Sequence, residues 1–173
     1  MAVVFKEPAT QEHELFVVGM GELVVTASPD AVLSCIGLGS CVAVCAYDSM
    51  EKIGGMVHVV LPNHNGSPGA NHAKFADTAV PLLINEMIKK GGVRRRMVVK
   101  IAGGARMSLA PWLRDTFKTG ERNLAQVLLS LEKEKTTLVA ADTGGTIGRT
   151  VKFYIDTGRV TVKTASGTAQ ELK

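Results

Sequence analysis

Ser34-Cys35-Ile36-Gly37-Leu38-Gly39-Ser40-Cys41-Val42-Ala43-Val44 is the stretch that decides how the rest of the chain is arranged. Its pattern predicts the end of one strand, a glycine-rich bend, and a second apolar strand with Cys41 at its mouth. Glycine accepts backbone conformations and close contacts that side chains block, so Gly37 and Gly39 favour a tight bend. Such a bend can direct the backbone N–H groups of Cys41 and a neighbour into an open pocket, where they would stabilise an oxyanion. The stretch is therefore typical of a cysteine nucleophile for acyl transfer.

A histidine follows Cys41 in the apolar run Val57-His58-Val59. The run predicts a buried strand, and a histidine within it could act as the base for Cys41. A histidine partner would also lower the pKa of the thiol, which is mostly protonated at neutral pH when it stands alone. The alternative is a strand histidine whose hydrogen bonds are satisfied and which takes no part in chemistry.

Length and composition indicate one globular domain. The chain has 173 residues, of which 46% are hydrophobic and 21% charged. No apolar run approaches the roughly 20 residues that a membrane helix needs. Residues 1–14 contain no apolar core of a signal peptide, so we expect a soluble, cytoplasmic protein.

A basic run, Lys89 to Arg96, accounts for part of the net charge of +4. A nucleic-acid interface needs a recognisable binding module as well as charge, and the sequence contains none. The run is typical of a solvated helix end, where cations interact favourably with the helix dipole. Attraction of this run to an acidic protein surface is the alternative.

The three cysteines, Cys35, Cys41 and Cys45, lie within eleven residues. Their spacing differs from that of zinc sites, and disulfides are rare in cytosolic chains, so we expect no metal, no cofactor and no disulfide. Cys45 lies inside an apolar strand and is predicted to be a small buried hydrophobe. A zinc or redox role, using His58, His64 and His72 or a pairing of Cys35 with Cys41, is the alternative.

The remaining pattern predicts about nine strands and two helices. The predicted strands cover residues 15–20, 22–26, 32–36, 42–47, 53–61, 97–101, 138–141, 151–155 and 159–163. The predicted helices cover residues 75–90 and 123–135, and the second presents Leu124, Val127, Leu128 and Leu131 on one face. We predict one domain over residues 15–165, with a flexible tail at 1–14 and a frayed tail at 166–173. Helices packed outside a β-sandwich give an α+β layered architecture.

Six motifs, in order and in register over roughly residues 16–163, carry a family resemblance. They are residues 37–44 (GLGSCVAV), 54–62 (GGMVHVVLP), 74–79 (KFADTA), 100–105 (KIAGGA), 120–123 (GERN) and 142–145 (DTGG). With these motifs the chain resembles the CheD family, the chemoreceptor glutamine deamidases of bacterial and archaeal chemotaxis. The resemblance implies hydrolysis of receptor glutamine side chains to glutamate with release of ammonia. It also implies a fold similar to cytotoxic necrotizing factor toxins, a layered α/β/β/α sandwich.

The resemblance assigns the catalytic positions. It implies that Cys41 is the nucleophile and His58 the base, and we expect the backbone at Cys41, Ser40 and Gly39 to form the oxyanion site. The family has a threonine that orients the histidine six residues before the nucleophile, where this chain has Cys35. A thiol is a weaker hydrogen-bonding group than a hydroxyl. Three outcomes stay open: Cys35 holds His58 weakly, Ser34 or Ser40 replaces it, or the enzyme is slow.

The implied partners are chemoreceptor cytoplasmic helices, as protein substrate, and a CheC-type phosphatase. The resemblance also allows some methylesterase activity. The alternative function is a weakly active or inactive adaptor that binds receptors and the phosphatase. No nucleic acid and no membrane insertion are expected, and the absence of an apolar seam favours a monomer.

Overall fold

The computed structural model describes residues 12–107, 118–167 and 169–173. This part of the chain forms ten strands, two α-helices and two short 3-10 turns. The strands are β1 (Glu14–Val17), β2 (Leu23–Thr26), β3 (Ala31–Leu38), β4 (Val42–Asp48), β5 (Ile53–Val59), β6 (Val98–Gly103), β7 (Thr137–Thr143), β8 (Arg149–Tyr154), β9 (Val160–Thr164) and β10 (Ala169–Leu172). The helices are α1 (Ala76–Lys89) and α2 (Thr119–Lys133), and the 3-10 turns are His72–Lys74 and Arg94–Arg96.

The strands form two stacked five-stranded sheets. Sheet A has the order β1-β3-β8-β9-β10, and sheet B has the order β2-β5-β4-β6-β7. Alternate residues of β3 and β4, among them Leu33, Ala43 and Cys45, meet in an apolar cluster between the sheets, here called the inner cluster. The other residues of β4, such as Val44, face away from sheet A. The alternation follows from the strand period of two, and it confirms the predicted α+β sandwich.

Both described helices cover the same sheet. Apolar residues of α1 and α2, including Leu83 and Val127, pack with the remaining residues of β4, β5 and β6 in a second cluster, the outer cluster. The order of layers in the described residues is therefore α/β/β, and the second helical layer of the predicted α/β/β/α sandwich is not found among them. Sheet A tolerates this because its outward positions include the exposed Lys152 and Lys163, which are compatible with water.

Both helices have a feature that the apolar pattern alone does not show. Pro81 lies inside α1, which nevertheless runs on to Lys89. In α2 the predicted face packs on the outer cluster through Leu124, Val127 and Leu131, but Leu128 is exposed, and Asn123 and Ser130 are buried. Apolar periodicity therefore predicted most of the buried face and missed its two polar members.

The predicted frayed tail at 166–173 contains a strand. Strand β10 pairs with β9, and Leu172 is buried. The ammonium Nζ of Lys100 donates to the Leu172 carbonyl at 2.6 Å. A backbone ladder needs no apolar pattern, so composition alone gave no signal. Of the predicted tail at 1–14, residues 1–11 lie outside the described residues, and Glu14 begins β1.

Strand β4 connects the two ends of the sandwich. Cys41 directly precedes it, at the end where β5 and β6 finish, and Asp48 closes it at the other end. We call these the Cys41 end and the Asp48 end. No helix in the described ranges is long and apolar enough to cross a membrane.

Candidate active site

Cys41 and His58 lie on the same face of sheet B. In the register of β4 and β5, Ala43 is directly opposite His58. Because side chains alternate along a strand, Cys41 lies on the same face as Ala43 and therefore diagonal to His58. Diagonal positions on neighbouring strands are roughly 7–8 Å apart, within reach of an imidazole. Cys41 is half-buried and His58 is 5% exposed, so the pair is at the rim of the inner cluster.

The imidazole of His58 is held by a backbone carbonyl. Its Nδ1 lies 3.0 Å from the carbonyl oxygen of Val18. A carbonyl only accepts, so the neutral ring carries its proton on Nδ1 and has a lone pair on Nε2. Val18 is itself fixed, because it is fully buried and its N–H donates to the carbonyl of Ser34 at 2.8 Å.

Burial keeps both side chains uncharged. It lowers the pKa of His58 from its ordinary value, against the opposing effects of the Val18 hydrogen bond and the negative charge of Glu22. Burial raises the pKa of the Cys41 thiol. The sequence predicts a thiol pKa lowered by histidine, and the structure gives the opposite direction. At neutral pH the resting pair is therefore a thiol beside a neutral imidazole, which can take the proton only as the sulfur attacks.

The carbonyl oxygens of Gly39, Ser40 and Cys41 all accept a hydrogen bond. The Gly39 carbonyl accepts from the Ala105 N–H at 2.9 Å, and the Cys41 carbonyl accepts from the Gly104 N–H at 2.8 Å. Between them, the Ser40 carbonyl accepts from a side chain of α2 at 2.9 Å. In the described part of the chain, the N–H groups of Ser40 and Cys41 donate to no other residue.

Each anchor also fixes an amide. In a trans peptide the N–H points opposite to the C=O of the same unit. The anchored Gly39 carbonyl therefore directs the N–H of Ser40 the other way, and the anchored Ser40 carbonyl does the same for the N–H of Cys41. Two oriented amide dipoles beside a thiol are an arrangement that can stabilise an oxyanion.

Close-packed glycines make these anchors possible. A side-chain carbon at Gly103, where φ is +117°, would overlap the carbonyl oxygen of Cys41. A side-chain carbon at Gly120, in the first turn of α2, would overlap the carbonyl of Ala105. The Gly103–Gly104 pair thus forms a close-packed turn in contact with the Cys41 backbone.

Two further motifs converge next to this turn. A cavity of about 280 Å³ is lined by Gly104, Arg106, Glu121, Gly144, Gly145 and Thr146. Arg106 forms an ion pair with Glu121, and its N–H donates to the Gly145 carbonyl at 2.8 Å. The 120–123 and 142–145 motifs, distant in sequence, therefore border the turn after β6, whose Gly104 donates to the Cys41 carbonyl.

Cys35 lies behind the site and not in it. It is fully buried in the inner cluster, and its Sγ lies 3.4 Å from the Sδ of Met56. Burial, with a smaller effect of Cys41, raises the pKa of Cys35 to about 12. Ser34 donates its Oγ to the Val151 carbonyl at 2.9 Å, so it is not available to His58. The contact that the structure gives to Nδ1 of His58 is the carbonyl of Val18, which sequence reasoning missed because a backbone carbonyl has no sequence signal.

The remaining cysteine and histidine candidates lie outside the Cys41–His58 pair. Cys45 is buried in the inner cluster, as predicted. The rings of His64 and His72 stack with centroids 4.6 Å apart; His64 is half-buried and His72 is exposed. Within the described ranges, no group of three or more histidine, cysteine, aspartate or glutamate residues is placed to hold a metal ion.

The basic run is mostly consumed by internal ion pairs. Arg94 pairs with Glu134, and Arg96 pairs with Asp48 at 2.8 Å. Arg95 is the exposed member of the three. Two of the three arginines therefore link separate segments of the fold through ion pairs and do not form a free surface patch.

The fold and site are those of a sandwich protein with a cysteine–histidine pair at the mouth of one sheet. The family model described as CheD chemotactic sensory transduction matches residues 60–164. A protein of Desulfitobacterium hafniense, named probable chemoreceptor glutamine deamidase CheD, is 42% identical over 147 residues, which cover 85% of this chain and 91% of the relative. A protein of the same name from Caldanaerobacter subterraneus is 44% identical over 154 residues, covering 88% and 94%. The chain therefore belongs to the CheD family.

A third relative of that name, from Symbiobacterium thermophilum, is 43% identical over 163 residues and covers 93% of this chain and 99% of its own. Among solved structures, the hypothetical protein YfiH of Bacillus licheniformis overlaps with a TM-score of 0.35 and 16% identity, over 54% of this chain and 37% of that chain. A similarity of that size carries no argument about fold or function.

Proposed function

We propose that the protein hydrolyses glutamine side chains of chemoreceptors to glutamate, with Cys41 as nucleophile and His58 as general base. The observation that carries the proposal is the His58 ring, whose Nδ1 is held by Val18 while Nε2 is left with its lone pair on the face that Cys41 shares. The chemoreceptor as substrate is supported by the names of the relatives.

The first step forms a thioester. As Sγ of Cys41 attacks the carboxamide carbon, Nε2 of His58 takes the thiol proton and the carbonyl electrons move to oxygen. The N–H groups of Ser40 and Cys41 stabilise the resulting oxyanion. When it collapses, the C–N bond breaks and the imidazolium gives its proton to the leaving ammonia.

The second step hydrolyses the thioester. His58 takes a proton from a water molecule, the hydroxide adds to the thioester carbon, and the same amides receive the second oxyanion. The C–S bond then breaks, the carboxylic acid leaves, and the thiol regains its proton. The net reaction converts one amide and one water into one acid and one ammonia.

We further infer that the carbonyl of Val18 orients His58, and that Cys35 contributes packing. The support is the 3.0 Å contact from Nδ1 to Val18 and the contact of Cys35 with Met56. From the resemblance we also propose chemoreceptor helices as the surface that the protein binds and a CheC-type phosphatase as a partner. We propose a monomer in the cytoplasm, with the layering of cytotoxic necrotizing factor toxins. The backbone of Gly39 is proposed as a further part of the oxyanion site.

The test uses mass spectrometry of a chemoreceptor cytoplasmic fragment after incubation with the protein. We expect glutamine-to-glutamate conversion by the wild type, no conversion by Cys41→Ala, and a loss of about 10³-fold or more for His58→Ala. Cys45→Ala is the matched control, because it removes another thiol from the same strand and should keep the activity.

Conversion that survives in Cys41→Ala would refute the nucleophile. A wild type that binds the fragment without converting it would favour the adaptor, an alternative in keeping with the raised pKa of the thiol.

A further inference from the structure

One polar side chain of α2 bridges the two strands that carry the site. Asn123 is fully buried, and its Nδ2 donates to the carbonyl of Ser40 at 2.9 Å and to the carbonyl of Val60 at 2.8 Å. Ser40 directly precedes Cys41, and Val60 lies two residues after His58. The side chain therefore ties the nucleophile loop to the end of the histidine strand.

The orientation of the amide is fixed by its partners. Both are carbonyl oxygens, so only the NH2 group can face them, and a flipped amide would place oxygen against oxygen. The remaining atom, Oδ1, is buried and has no hydrogen-bond partner among the described residues. A buried acceptor without a partner is costly, so an apolar residue would serve the packing of this helix better. The two donated bonds are what distinguish Asn123 from its buried neighbours on the same face, such as Val127.

The bond to Ser40 acts on the amide of the nucleophile. The carbonyl of Ser40 and the N–H of Cys41 belong to one planar peptide unit and point in opposite directions. Rotating that unit to turn the N–H out of the pocket would break the bond from Asn123 and leave a second buried group unpaired. The side chain thus sets the direction of one amide dipole at the site.

We infer that Asn123 is a positioning residue that holds the Cys41 N–H in the direction in which it stabilises the oxyanion. The inference deepens the proposed function and rests on it. The effect of Asn123 is indirect, because it contacts the backbone of Ser40 and neither the thiol nor the imidazole in the structure.

The test compares two reactions of the same thiol. Deamidation passes through an oxyanion, whereas alkylation by iodoacetamide displaces iodide at carbon and forms none. The variant is Asn123→Leu, which keeps a similar volume and removes both donors. The control is Ser130→Ala, which changes another buried polar residue of the same helix.

We expect Asn123→Leu to lower kcat for deamidation by roughly 10²-fold, the size of effect seen when an oxyanion donor is lost. KM and the alkylation rate of Cys41 should stay within about threefold of the wild type, since neither depends on the oxyanion. Ser130→Ala should change none of the three. Deamidation and alkylation falling by the same factor, or neither falling, would overturn the inference.

A second measurement needs only the wild-type protein, so it tests the direction of the Cys41 N–H, on which the inference depends, even if the variant does not fold. A peptide whose glutamine carboxamide is replaced by an aldehyde adds to Cys41 as a hemithioacetal, which places an oxygen where the oxyanion forms. We expect the backbone amide proton of Cys41 to move downfield in the NMR spectrum when the adduct forms. An adduct that leaves this resonance in place, or no adduct at all, would overturn the inference.

The two measurements separate the inference from the proposed function. A wild type that fails to deamidate receptors but shows the downfield shift would refute the substrate and retain the oriented amide. A wild type that deamidates receptors without the shift would retain the substrate and refute the role of Asn123.

Discussion

The two ends of strand β4 hold polar groups in opposite ways. At the Asp48 end, the buried carboxylate of Asp48 accepts hydrogen bonds from the N–H groups of Met50 and Val93, at 3.1 and 2.9 Å, and from the guanidinium of Arg96. At the Cys41 end, no charged side chain of the described residues donates to the thiol, and the donors of the neighbouring segments go to backbone carbonyls.

The pKa values follow this difference. Burial disfavours the charged form of Asp48, but the bonds from Arg96 and from the backbone outweigh it and lower its pKa to about 2. Burial raises the pKa of the Cys41 thiol. The Asp48 end therefore holds a charged carboxylate in an ion pair, whereas the thiol at the Cys41 end is neutral at neutral pH.

The largest effect on stability is expected from the loss of the ion pair between Asp48 and Arg96. Asp48→Ala should lower the free energy of unfolding by about 3 kcal/mol, because a buried ion pair and several charge-assisted hydrogen bonds are lost together. Chemical denaturation measures this. The rate of Cys41 alkylation in the folded protein should not change, which would show that the two ends are energetically separate.

The control for that variant is Arg95→Ala, the exposed neighbour of Arg96, which should leave the denaturation midpoint unchanged. Equal destabilisation by Arg95→Ala and Asp48→Ala would mean that general charge, and not the buried pair, matters at this end.

Acid should weaken the ion pair at the Asp48 end. Because the pKa of Asp48 is lowered to about 2 in the folded state, its pairing stabilises the protein fully above its ordinary value near 3.8. That contribution is lost as the pH falls from about 4 towards 2. Acid unfolding followed by circular dichroism should therefore be steeper for the wild type than for Asp48→Asn, and identical curves would contradict the assignment.

One added methyl group at Gly103 should disrupt the backbone contacts at the Cys41 end. Gly103→Ala places a carbon against the carbonyl of Cys41 at a positive φ, so the nucleophile loop must move. We expect deamidation to fall by about 10²-fold, as displacements of catalytic groups by about 1 Å do. Gly148→Ala is the control, because its added carbon would lie at an ordinary 3.5 Å from the Leu38 carbonyl. Similar activities of the two variants would refute the close-packed turn.

The pH dependence of thiol reactivity tests whether Cys41 is neutral or paired with a charged His58. With a raised pKa for Cys41, its alkylation by iodoacetamide should rise about tenfold per pH unit and show no plateau below pH 9. An ion pair with His58 would instead give a plateau near neutral pH. Deamidation itself should fall at acid pH as the imidazole, whose pKa is lowered, gains a proton.

The smallest expected effect is at Cys35. Since the carbonyl of Val18 already accepts from His58, Cys35→Thr should change the deamidation rate by less than about threefold. Steady-state kinetics on the receptor fragment measures this. A gain of tenfold or more would show that the residue at position 35 orients the histidine after all.

Much of the fold was predictable because it rests on local patterns. Runs of apolar residues predicted the strands between Val32 and Ile155, and helical spacing predicted α1. The predictions were wrong or incomplete where a contact between residues distant in sequence determines the structure. Strand β10 is held by a ladder to β9, the buried face of α2 includes Asn123, and Arg96 is bound to Asp48 across the fold.

The sequence by itself was enough to identify the family, the sandwich of two sheets and the candidate pair of Cys41 and His58, because apolar periodicity and six ordered motifs are local properties of the chain. Only the tertiary structure decided what surrounds Cys41: the carbonyl of Val18 on His58, the raised thiol pKa, and the donors on the carbonyls of Gly39, Ser40 and Cys41. Backbone hydrogen bonds and burial have no letter in the sequence, since any residue can supply a carbonyl and the loss of water depends on what packs against it.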